Sequence, residues 1–154
     1  MSERLKTYAA LVLEQGGVWD KESPLHLTLC QPALMTHGRL QEFITLLKKN
    51  LHEFGEVTIV GAGEAMFGPR NDIPVRQIGR TAELLALHEI VLAATQEVLP
   101  QFTLDFPKYR PHVTYKETNG LHEDEQRTLR EVTVLSRPEG GLWKPATTIP
   151  LQDD

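Results

Sequence analysis

Apolar and polar positions fall into two rhythms along this chain. In PLHLTLC (24–30), Leu25, Leu27 and Leu29 alternate with His26, Thr28 and Cys30, the period-two pattern of a strand with one buried face. RPHVTYK (110–116) repeats it: Val113 and Tyr115 point one way, and His112, Thr114 and Lys116 point the other. Elsewhere the period lengthens. Leu40, Phe43, Ile44, Leu47 and Leu51 recur at spacings of three and four, which predicts an amphipathic helix capped by Thr36. Leu84, Leu87, Val91 and Val98 predict a second helix from about Thr81 to Leu99, stopped by Pro100. LKTYAALVLEQ (5–15), ended by Gly16 and Gly17, reads as a buried strand, and GEVTIVGAGEAMFG (55–68) with IPVRQIG (73–79) as a hairpin around GPRND. Residues 121–130 read as a charged turn or short helix. VTVLSR and LWKPATTIPL then form a closing hairpin around PEGG.

The resulting order, roughly ββαββαβ followed by ββ, predicts an α+β fold of two similar lobes, each with a strand bearing His-x-Thr at the corresponding place. No linker, low-complexity tract or change of composition divides the 154 residues, so one domain over 1–154 is expected. An apolar fraction of 40% fits an ordinary packed protein. The net charge of -5 argues against broad adhesion to DNA or to an anionic membrane, because such binding needs a basic face. Cys30 is the only cysteine, which excludes an internal disulfide and any multi-cysteine metal site. No segment has the build of a secretory signal or the length of a bilayer span, so a cytoplasmic protein is expected.

Two imidazoles and two hydroxyls on matching strand faces suit a phosphodiester. One neutral histidine takes a proton from the attacking oxygen, the other, protonated, gives one to the leaving oxygen, and the hydroxyls hold the non-bridging oxygens. Histidine fits this division because its ordinary pKa near 6.5 allows one copy to be neutral and the other charged. The competing explanation is a pair of structural histidines. Both stretches lie on strands of the same parity and both are entered through proline, at Pro24 and Pro111, which favours the paired site.

HLTL (26–29) and PHVTY (111–115) resemble the two His-x-Thr/Ser motifs of the 2H phosphoesterase superfamily, and especially its 2'-5' RNA ligase-like branch. The order of elements, FGP at 67–69, ELLALH at 83–88 and Trp143 near a final strand extend the likeness over most of the chain. The resemblance implies a bilobal fold, duplicated antiparallel sheets about a pseudo-two-fold axis with flanking helices and a central cleft. It implies that His26 and His112 are the catalytic pair and that Thr28 and Thr114 hold the phosphate. It also implies a 2',3'-cyclic phosphate or 2'-5' linkage on a nucleotide or RNA end as substrate, with no cofactor and no metal. Alternatives are a phage-type nuclease for cyclic oligonucleotide defence signals and a nucleotide-binding module without turnover. Tyr115 departs from the aliphatic residue usual in that place, which on strand parity concerns packing.

Around the motifs, Tyr109 has the chemistry to stack on a base or to cover the sheet edge. Arg110 and Lys116 share parity with His112 and can attract phosphate or stand as solvated charges, and Arg70 lies at a hairpin tip. Arg76 is a weaker candidate. His37, His52, His88 and His122 are read as structural, and Cys30 as packing near the cleft floor. A monomer acting on a small nucleotide, without DNA or membrane partners, is expected.

Overall fold

The computed structural model describes residues 4–13, 26–67, 69–70, 72–105, 108–114 and 123–152, with the Thr114 side chain outside the description. Tyr115, Lys116 and His122 also lie outside it. The chain runs β1 (Arg4–Val12), β2 (His26–Thr28), β3 (Ala33–Thr36), α1 (His37–Asn50), β4 (Val57–Phe67), β5 (Ile73–Ile78), α2 (Ala82–Val98), β6 (His112–Thr114), β7 (Gln126–Leu129), β8 (Glu131–Pro138) and β9 (Lys144–Pro150).

These elements form two antiparallel sheets of like build. One has the order β2-β1-β8-β9, with β3 also pairing to β1; the other has the order β6-β5-β4-β7. Each therefore ends on a short edge strand carrying His-x-Thr, as two lobes of an α+β fold require. β4 makes both of its pairings by bending. Its register shifts between Gly61 and Glu64, and Gly63 adopts φ +96°, a conformation that a side chain would strain.

Both helices begin where a threonine can replace the missing helical acceptor. Thr36 Oγ1 accepts from the Arg39 N–H at 3.3 Å, and Thr81 Oγ1 from the Leu84 N–H at 3.3 Å. Leu40, Phe43, Ile44 and Leu47 of α1 and Leu84, Leu87 and Val91 of α2 join Leu5, Ala9, Leu11, Leu27, Val57, Ile59 and Val113 in one apolar cluster. The helices thus cover one face of the sheets.

Two short strands depart from the sequence expectation. Residues 126–129, read as charged turn or helix, form β7, which pairs with β4 from Val57↔Leu129 to Val60↔Gln126. Only Leu129 of β7 is buried, so a solvated edge strand carries almost no apolar alternation to announce it. β3, for which the sequence reading has no strand, pairs with β1 and buries Ala33 and Met35.

Candidate active site

Strand register decides which side chains point away from the helices. In the first lobe His26 stands opposite Val12 and Thr28 opposite Ala10, while Leu27 stands opposite Leu11 in the core. Tyr8, two residues before Ala10, shares the histidine's face. In the second lobe His112 stands opposite Gln77, and Thr114 opposite Val75. Arg76 stands opposite Val113, on the face away from His112; it is buried, with Glu64 at 3.9 Å. The two edge strands lie against each other, with Cα atoms of β2 and β6 within 8 Å. The structure thus brings together the two stretches that the sequence separates by most of its length.

Each imidazole is set against an aromatic ring. The Tyr8 hydroxyl lies 3.2 Å from His26 Nε2, with ring centroids 5.9 Å apart, and Trp143 meets Tyr8 edge-on at 4.8 Å. Arg137 places its guanidinium 5.1 Å from the Trp143 ring. In the second lobe Phe67 meets the His112 ring at 4.7 Å, and Arg110 lies 4.1 Å from the Phe67 ring. Tyr8, Ala10 and Leu135, with Val12 and Trp143, form a small apolar cluster beside His26. Sequence reasoning had read Tyr8 only as part of a buried strand. The pairing register, absent from local pattern, is what puts it on His26.

The tautomer of His112 follows from its partner. Nδ1 lies 2.8 Å from the Arg110 carbonyl oxygen, which can only accept, so Nδ1 carries the proton and donates it there. Nε2 then holds the lone pair of the neutral ring. Burial pushes the Tyr8 phenol from 10.0 up to about 12, so it keeps its hydrogen beside His26 throughout the neutral range. The same shift has a stability consequence. The fold favours the neutral phenol, an advantage intact below pH 10 and lost as the pH climbs to about 12, because the unfolded chain ionises first. The thermal midpoint, followed by circular dichroism, is expected to fall across that window, and less steeply in Tyr8→Phe.

The remaining candidates are spread more widely. Arg110 is exposed over the Phe67 ring and Arg70 is exposed at the β4–β5 turn. Tyr109 is half-buried: its ring stacks on His88 at 4.1 Å and its hydroxyl donates to the Thr28 carbonyl at 2.7 Å. His88 is buried and its Nδ1–H donates to the Leu29 carbonyl at 2.6 Å, in keeping with a structural histidine. Cys30 is 2% exposed and belongs to the core cluster. Burial pushes its thiol from 9.0 up to about 11, partly offset by a backbone hydrogen bond from Gln31. About 100-fold less thiolate follows at a given pH below that range. Iodoacetamide at pH 8 is expected to label Cys30 far more slowly in the native chain than in urea, as read by mass spectrometry.

With this geometry in hand, comparison with known proteins identifies the fold. No protein-family description and no curated protein matches the chain by sequence. Solved structures do match in shape. E. coli LigT in complex with 3'-AMP superposes with a TM-score of 0.67 at 13% identity, covering 97% of this chain and 99% of LigT. A protein described as a phosphoesterase gives 0.68 at 16% identity, covering 99% of each chain. TT0787 of Thermus thermophilus gives 0.70 at 14%, covering 97% of this chain and 99% of its own. LigT has also been solved with ATP and with NADP+. The chain has the LigT-like fold, the architecture that its two His-x-Thr stretches had led us to expect. No helix among the described residues is long and apolar enough to cross a membrane.

Proposed function

We propose that this chain is a 2H-type phosphoesterase that cleaves a phosphodiester on a nucleotide or RNA end, a 2',3'-cyclic phosphate or a 2'-5' linkage, by paired histidine acid–base catalysis without a metal. The observation that carries this reading is the apposition of β2 and β6, each an edge strand with its histidine on the face away from the helices. In hydrolysis of a cyclic phosphate, one imidazole takes a proton from water as its oxygen bonds to phosphorus. The other, charged, protonates the ribose oxygen as the P–O bond breaks. Thr28 and Thr114 donate to the non-bridging oxygens, and Arg110, Lys116 and Arg70 draw the phosphate in.

The aromatic surfaces support a nucleoside as the organic part of the substrate. Trp143 beside Tyr8 and Phe67 under Arg110 offer rings next to each imidazole, and ring–base stacking contributes about 1–3 kcal/mol per base. The fold shared with LigT, a protein solved with 3'-AMP, supports the same class.

The test is turnover in EDTA of 2',3'-cyclic nucleotides, 2'-5' dinucleotides and cyclic oligonucleotides, resolved by chromatography, for wild type and His112→Ala. Cleavage by the wild type that is lost in the variant is the expected result. Turnover that survives the variant defeats the assignment. Binding of these nucleotides with no cleavage by the wild type establishes the non-catalytic module instead, and cleavage confined to cyclic oligonucleotides establishes the phage-type alternative.

A further inference from the structure

The segment Tyr109–Pro111 touches both histidine strands at once. Its main chain belongs to the second lobe. The Tyr109 carbonyl accepts from Arg80 Nε–H at 3.0 Å, the Pro111 carbonyl from the Ile78 N–H at 3.0 Å, and the Arg110 carbonyl between them orients the His112 ring. Its side chain crosses to the first lobe. The Tyr109 hydroxyl ends on the Thr28 carbonyl at 2.7 Å, within the strand that carries His26.

The crossing is held from α2 as well. His88 stacks on the Tyr109 ring with an interplanar angle of 2° and donates to the carbonyl of Leu29, the residue after Thr28. Two successive main-chain acceptors at the exit of β2 are therefore held by a stacked pair of rings anchored in the second lobe and its helix. Burial keeps the Tyr109 phenol protonated, its pKa raised well above the ordinary value, so the donor persists at any working pH.

We propose that Tyr109 and His88 are positioning residues that fix the separation of the two His-x-Thr strands, Tyr109 by tying the Thr28 carbonyl to the turn that orients His112, and His88 by locking the Tyr109 ring. This rests on the phosphoesterase reading above. Proton transfer by two groups on opposite sides of one phosphorus depends steeply on their spacing, and a misplacement of about 1 Å can cost 10²-fold in rate. Neither residue exchanges a proton with substrate in this role.

Tyr109→Phe keeps the ring and its stack and removes only the hydroxyl. At a temperature where circular dichroism shows both proteins folded, kcat is expected to fall about 10- to 100-fold with KM within about twofold of wild type. Carbon-13 signals of the His26 and His112 imidazoles, from histidine-labelled protein, are expected to move together in Tyr109→Phe, whereas loss of packing elsewhere leaves both in place. His88→Gln, which retains an N–H for Leu29, is expected to recover part of the rate lost in His88→Ala. A Tyr109→Phe enzyme with wild-type kcat, or unmoved imidazole signals, overturns the proposal. If the wild type cleaves no phosphodiester, the parent reading fails separately, and the imidazole signals still decide whether the clamp exists.

Discussion

His112→Ala and His26→Ala are each expected to lower kcat/KM by about 10²–10⁴-fold on the phosphodiester that the wild type cleaves, the range for removal of a positioned acid or base. The two losses are not expected to add. Once one proton carrier is absent the transfer is no longer concerted, so His26→Ala/His112→Ala should be little worse than the poorer single variant. His112→Asn sharpens the test, because its amide N–H can replace Nδ1–H as donor to the Arg110 carbonyl while offering nothing where Nε2 stood. Steady-state rates as low as those of His112→Ala would show that Nε2 matters as a proton carrier; recovery to near wild type would show that the imidazole only braces the loop. The wild-type pH–rate profile is expected to be bell-shaped, with one limb lost in each single variant.

Leu27→Ala is expected to destabilise the fold by about 2–5 kcal/mol, the usual cost of emptying a fully buried leucine site. Leu27 is 0% exposed and stands opposite Leu11 in the core, between His26 and Thr28 in β2. For a chain of this size each kcal/mol lowers the thermal midpoint by about 2–4 °C, so differential scanning calorimetry resolves the effect easily. The same cavity loosens β2, which has three described residues and, among the described strands, pairs with β1 alone. Activity measured well below the midpoint should therefore fall too. Leu27→Met, which roughly conserves volume, is expected to cost less than about 1.5 kcal/mol and to keep most of the rate. Equal stability of Leu27→Ala and wild type would contradict the placement of this side chain.

Much of the architecture was legible because its signals are local. Alternation across 24–30 and 110–116 marked two strands with a chemical face, and the three–four spacing before Leu51 and after Thr81 marked both helices, the first together with its Thr36 cap. Where the local signal is weak the reading failed. β7, read as a charged turn or helix, is a solvated edge with one buried residue, and it exists because β4 offers an open hydrogen-bonding edge. The histidines and threonines of the candidate site could be named from the sequence. Their aromatic partners Tyr8 and Phe67 could not, since each reaches its imidazole across strands distant in the chain.

The sequence by itself determined both helices, the two strands that carry His-x-Thr and the faces on which His26, Thr28 and His112 stand, because periodicity and backbone sterics act between near neighbours. Only the tertiary structure decided that β2 and β6 meet edge to edge, that His112 carries its proton on Nδ1, and that Tyr109 ties one strand to the other. Those outcomes depend on cross-strand register and on burial, which arise only when distant segments close on a common core.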